Sequence, residues 1–207
     1  MNNHQSHTTI VTPQLPLVYR NGSIASFASH FIKLLQTATD DKLTIIFTEP
    51  SQVNEALWKP QYEKQGIEVI SIHEEASRLF RVLPPEVTVS ETACRAIPRT
   101  SDTVYFADWR ANGLQLVRSR RFKAERSPTV VTVLHGNTAW HRQGQQFWPS
   151  SYEEMRMDFS EQYAVRHSDF AVAPSKYIVG WMRASHYPLP VDAHVRVLNY
   201  PFFRIWR

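Results

Sequence analysis

The chain is poor in cysteine and glycine, has no long apolar run and carries little excess charge. Its one cysteine, Cys94, excludes a disulfide framework within the chain and a cysteine-rich zinc site. No apolar stretch approaches the roughly 18 residues that a membrane helix needs. Met1 to Thr9 is polar and lacks the apolar core of a secretion signal, so a reducing, cytoplasmic setting is expected. The net charge of +4 is a mild bias. It suits anionic ligands or an anionic membrane surface and falls short of a nucleic-acid binder's basic excess. Six glycines against thirteen prolines imply stiff turns rather than flexible linkers. What is present suffices for a core: 43% of the 207 residues are hydrophobic and 20% charged, which excludes general disorder and fits one domain.

Periodicity predicts alternating strands and helices. Residues 1–8 read as a frayed tail. Short apolar or β-branched runs predict strands at Thr9–Thr12, Lys42–Thr48, Ile67–Ile72, Thr103–Ala107, Thr129–Leu134, Phe170–Ala173 and Val195–Leu198. Between them, Ile24, Phe27, Phe31, Leu34, Leu35 and Ala38 recur at helical spacing, with Asn21 or Ser23 as the expected cap. Further helices are predicted over Glu75–Leu83, Ser90–Ile97, Leu114–Phe122, Tyr152–His167 and Lys176–His186. In Tyr152–His167, Tyr152, Met155, Phe159 and Tyr163 form an apolar stripe and are expected to face the core. Glu153, Glu154, Asp158 and Glu161 are expected to be solvated. The pattern predicts an α/β fold, a Rossmann-like parallel sheet with helices on both faces. Ligands of such sheets bind beyond the C-terminal strand ends, which directs attention to the segments that follow each strand.

Several of those segments carry residues with useful chemistry. Gly22 and Ser23 join the first strand to a helix, where free N–H groups favour an anion or a sugar hydroxyl; a plain helix cap is the alternative. The loop is neither a dinucleotide fingerprint nor a P-loop. Asp108, Trp109 and Arg110 follow the fourth strand and combine an acid, an indole and a guanidinium. They suit a polyhydroxylated ring, or equally a local ion pair beside a packed indole. His135 and Gly136 end the fifth strand and place an imidazole at its exit, with Trp140, His141 and Arg142 in a polar loop reaching about Ser150. His135, His141, His167 and His186 lack metal-ligand spacing, and Ser175 lacks a nucleophile-elbow context. Arg118, Arg120, Arg121 and Lys123 form the basic cluster, either a solvated helix face or a contact for anionic lipid headgroups.

Taken in order, these segments resemble the N-terminal half of retaining glycosyltransferases of the family 4 type, which have the two-lobed GT-B fold. The resemblance runs from Gly22-Ser23-Ile24 through Tyr105 to Arg110, then Val133-Leu134-His135-Gly136 with Thr138, Trp140 and Arg142. Its most specific stretch is Glu161 through His167-Ser168-Asp169 to Ser175-Lys176-Tyr177, extended by Trp181-Met182, Tyr187 to Pro190 and Val197-Leu198-Asn199. It covers about residues 9–203, with 204–207 as the start of a hinge. The first loop has Asn21-Gly22 where the family has a glycine pair. The resemblance implies a hexosyltransferase-like enzyme of polysaccharide biosynthesis. It would move a sugar from a nucleotide-diphosphate donor to a glycan or lipid-linked acceptor, with no metal and no cofactor beyond the donor. It implies that His135 faces the reacting sugar and that Asn21, Gly22, Ser23, Asp108, Trp109, Arg110, Gly136, Trp140, Arg142, Ser175 and Asn199 line the substrate site. A C-terminal donor-binding lobe is the implied partner, and the 207 residues alone are expected to be inactive as a transferase. Peripheral contact with the inner face of the membrane would use Arg118, Arg120, Arg121 and Lys123. The alternative is a non-catalytic sugar- or partner-binding module. A different Rossmann-like enzyme, an epimerase or hydrolase, ranks third because the first loop lacks the dinucleotide fingerprint.

Overall fold

β-branched runs and helical repeats alternate along the chain, and in the computed structural model they form one seven-stranded, all-parallel sheet with strand order β3-β2-β1-β4-β5-β6-β7. The structure describes residues 5–19, 22–49, 54–72, 83–120 and 127–198. The strands are β1 (His7–Thr12), β2 (Lys42–Phe47), β3 (Ile67–Ser71), β4 (Thr103–Ala107), β5 (Thr129–Val133), β6 (Phe170–Ala173) and β7 (Val195–Val197). The helices are α1 (Ser23–Ala38), α2 (Glu55–Glu63), α3 (Pro85–Ala96), α4 (Leu114–Ser119), α5 (Thr138–Gly144), α6 (Tyr152–Arg166) and α7 (Lys176–Ala184). The Rossmann-like α/β fold read from the sequence is the fold observed.

Successive side chains of a strand point to opposite faces, so each strand feeds two cores. Ile10, Ile45 and Phe47 pack with Ile32, Trp58 and Tyr62 beneath α1 and α2. Their neighbours Val11 and Ile46 pack with Val104, Phe106, Leu116, Val117 and Ala164 beneath α3, α4 and α6. A third cluster joins Leu134, Ala171, Ala173, Ile178 and Met182 under α7.

The N-terminal end of the sheet is tied by polar groups. β1 begins at His7, two residues earlier than predicted, because His7 is a network member and not tail. Its ring nitrogens lie 2.7 Å from Thr100 Oγ1 and 2.9 Å from Thr44 Oγ1, and its amide donates to Asp102. Burial holds the His7 pKa below the usual imidazole value.

Three helices depart from expectation. α3 begins at Pro85 rather than Ser90, since proline suits the first helical turn. α2 was not predicted: it buries only Trp58 and Tyr62 and contains Pro60. α5 occupies the segment read as loop; it buries no residue, and its start is fixed by the Asn137 side chain accepting from the Trp140 amide. The predicted helix over Glu75–Leu83 falls mostly outside the described residues.

α6 overturns a sequence expectation. Tyr152, Met155 and Phe159 are 68%, 52% and 66% exposed. The helix instead buries Ser160, Glu161, Ala164 and Val165, so three of the four stripe residues face outward, Tyr163 packs against the core as expected, and an acid faces inward.

Gly113 precedes α4 and sits against the buried ring of Phe106; an added Cβ would lie 2.2 Å from Phe106 Cζ. Gly113→Ala is expected to cost about 1–3 kcal/mol through overpacking. Urea denaturation checks this, and an unchanged midpoint would show that the ring has room to move.

Candidate functional site

In the strand order, β1 is flanked by β2 on one side and β4 on the other, so the chain reverses its direction of travel between β1 and β4. Loops leaving the C-terminal ends of strands at such a point diverge and open a crevice. The loop after β1 contributes Gly22 and the start of α1. The loop after β4 contributes Asp108, Trp109 and Arg110, and the loop after β5 contributes His135 and Gly136.

The structure brings these groups together. The His135 ring meets the Phe27 ring of α1 edge-on at 5.1 Å, so the imidazole lies against the helix that starts at the Gly22 loop. The His135 amide donates to Asp108 Oδ1 at 2.8 Å, and the Gly136 amide donates to Oδ2 at 3.3 Å. The imidazole is half-buried, and burial pushes its pKa down to about 3. At neutral pH it is therefore an uncharged ring that hydrogen-bonds a hydroxyl or takes a proton and adds no positive charge to the crevice.

Asp108 does not have the role its residue type suggested. It is 1% exposed, and both oxygens are occupied by backbone amides of the β5 loop. Burial raises its pKa to about 7 against the opposing effect of those amides. It shapes the loop that carries His135 and offers no carboxylate to a sugar. Arg142 is likewise turned inward: it pairs with Asp158 of α6 and its side chain is 12% exposed.

Other residues stay at the rim. Trp109 is half-buried, and the Arg110 guanidinium lies over its ring at 4.5 Å. Arg110 Nη1 also donates to both oxygens of Glu49, at 2.9 and 2.8 Å, linking the ends of β4 and β2. Tyr19 lies close by; its phenol is raised chiefly by burial and then by Glu49, with Arg110 opposing. Gly136 adopts φ +108, and a Cβ there would lie 2.7 Å from the Trp140 indole, so both backbone and space require glycine. Gly22 is extended and is the residue preceding α1; no side chain caps that helix and no acid lies in its first turn. Ser23 is the first helical residue and not the cap. Ser175 precedes α7 and is half-buried. Asn21 and Asn199 lie outside the described residues.

The sequence reading missed Glu49, Tyr19 and Glu161. Glu161 is fully buried, and burial raises its pKa to about 8, with hydrogen bonds from Thr138 and Arg110 opposing and Asp108 adding to the rise. The one available signal was an acid on a helix whose remaining inward residues are small. Arg120 of the basic cluster lies elsewhere. Arg120 is bound to Asp169 through two nitrogens, at 2.9 and 2.8 Å, at the N-terminal end of β6, opposite the crevice. Arg118 is exposed, and Arg121 and Lys123 fall outside the described residues. Among the described residues no His, Cys, Asp and Glu group could hold a metal ion, and no helix is long and apolar enough to cross a membrane.

No family profile matches the chain, and no curated protein matches it in sequence. Solved structures do. The UGT71G1 structure from Medicago truncatula, complexed with UDP-glucose, matches with a TM-score of 0.52 at 10% identity. The match covers 91% of this chain and 51% of that one, so the chain spans about half the length of a GT-B glycosyltransferase. The likeness is one of fold.

Two outcomes follow from the charges. By NMR, the His135 ring is expected to stay neutral throughout pH 5–8; a midpoint near the ordinary value would refute its desolvation. Asp108 and Glu161 keep protons in the folded chain that the unfolded chain has released above the usual carboxylate range. Stability is therefore lost as pH rises through about 7 and about 8. Between pH ~7 and ~8.5 the urea midpoint should fall, and fall less in Glu161→Gln. A midpoint that climbs over this interval contradicts the assignment.

Proposed function

We propose that the chain is the acceptor-side half of a glycosyltransferase. The observation that carries this reading is the place of the His135 imidazole, seated between the Asp108-bound loop and α1 at the crevice of a GT-B-like half. An uncharged imidazole can receive a hydrogen bond from a sugar hydroxyl or donate one, and it would stabilise developing charge without competing for the donor's phosphates. Trp109, Trp140, Tyr19 and the Glu49–Arg110 pair supply what an acceptor sugar needs: flat apolar faces for its C–H groups, a carboxylate to accept from hydroxyls and a guanidinium to donate to them. The start of α1 would face the donor diphosphate, where its unpaired amides favour negative charge.

The full reaction in this reading moves a sugar from a nucleotide-diphosphate donor to a glycan or lipid-linked acceptor with retention at the anomeric carbon, as in family 4. UDP-glucose, held by the structural neighbour, is the first donor to test. A second lobe would bind most of the nucleotide. The proposal does not call on the basic cluster, and Asp108 and Arg142 enter it only as scaffold.

Calorimetric titration with UDP-glucose, NAD and a panel of neutral oligosaccharides tests it. Oligosaccharides are expected to bind, weakened on the order of tenfold by Trp140→Ala or His135→Ala, since one lost aromatic or hydrogen-bond contact is worth about 1–1.5 kcal/mol. UDP-glucose should bind weakly, and sugar transfer should be undetectable with these 207 residues. Tight NAD binding would favour a different Rossmann-like enzyme, and vigorous sugar transfer would refute the division of the site between two lobes.

A further inference from the structure

Three elements that are distant in sequence meet on one buried side chain. Glu161 lies in the middle of α6 and is 0% exposed. Its Oε1 accepts from the Arg110 amide at 2.8 Å and from the Thr138 hydroxyl at 2.7 Å, and its Oε2 accepts from the Thr138 amide at 2.8 Å. Arg110 belongs to the turn after β4, and Thr138 opens α5 after β5. A single carboxylate therefore joins the two loops that bound one side of the crevice.

The backbone shows what this contact holds. Arg110 and Ala111 have φ of 59° and 50°, in the left-handed region that a non-glycine residue occupies at a steric cost. Such strain persists where surrounding contacts over-determine it. Here the Arg110 amide is fixed by Glu161, and the resulting backbone turn sends the guanidinium over Trp109 and across to Glu49. The same carboxylate seats the start of α5, whose Trp140 covers Gly136 next to His135. A solvated acid on α6 could do none of this. The burial of the helix, with Tyr152 and Phe159 outside and Glu161 inside, is the arrangement that delivers the acid to both loops.

We propose that Glu161 is a positioning residue that locks the turn after β4 to the start of α5, so that Arg110 and the His135 loop form one rigid wall of the crevice. The proposal rests on the reading of this crevice as the ligand-binding site. The other charged or titratable groups gathered about the acid are Asp108 at the end of β4, Asp158 on α6 with its partner Arg142 on α5, and Tyr187 after α7. Asp108 carries the neighbouring amides of His135 and Gly136, so the two acids divide the wall between them without sharing a donor.

Thr138→Pro isolates the locking role. Proline suits the first position of a helix, and Asn137 before it already has φ −72° and ψ 175°, which a following proline requires. The substitution removes both Thr138 donors and leaves the Arg110 bond untouched. In the 207-residue chain, NMR hydrogen exchange at the Arg110 amide is expected to rise on the order of tenfold, with exchange inside β4 and β5 unchanged. If Arg110 exchange stays at its native rate, Glu161 caps two independent loops and the proposal fails. Glu161→Gln keeps one acceptor oxygen and supplies a second variant. It should speed exchange at Arg110 and Thr138 together, and an effect confined to Thr138 also overturns the proposal. No ligand enters either measurement, so a failure of oligosaccharide binding counts against the proposed function and leaves this result standing.

Discussion

Backbone amides at strand ends have no ladder partner, and those that are buried need an acceptor. At the ligand-facing end of this sheet the acceptors are two buried acids. Asp108 takes the amides of His135 and Gly136, and Glu161 takes those of Arg110 and Thr138. An apolar residue in either place would leave two amides unpaired, each at about 1–3 kcal/mol. The shape of the crevice wall, the exposure of the imidazole and the direction of the Arg110 guanidinium all follow from satisfying those four groups. Using charged acceptors is costly in a dry interior, and both acids respond by holding their protons to about 7 and about 8.

The crevice combines a neutral imidazole with an ion pair and aromatic faces. The burial that discharges His135 comes from the Phe27 ring on one side and the Asp108-bound loop on the other. Glu49 and Arg110 neutralise one another across the ends of β2 and β4. Such a surface favours a polyhydroxylated ligand over a multiply charged one.

The architecture was legible in the sequence. All seven strands were, because runs such as Lys42–Phe47 are apolar or β-branched at every buried position and a strand covered on both faces favours this. The site was legible only in outline. Trp109, Arg110, His135 and Gly136 stand at strand exits, as their places in the sequence predict, but the acid of the Asp-Trp-Arg trio serves the backbone. Arg142 was assigned to the acceptor when it pairs with Asp158. α5 was unreadable because it buries nothing. On α6 the reading holds for Tyr163, which packs on the core, and for Glu153, which is exposed, and fails for Tyr152, Met155 and Phe159, which face out, and for Glu161, which faces in.

Strand periodicity, the turn residues after each strand and the absence of a dinucleotide fingerprint were settled by the sequence alone, since each depends on neighbours a few positions apart. Which carboxylates serve the main chain was decided only by tertiary structure. Asp108 and His135 are twenty-seven positions apart and Arg110 and Glu161 fifty-one, so no local pattern could reveal that each pair meets. Parallel strands place those loops side by side, and the need to pair buried amides then fixes the acids where they are.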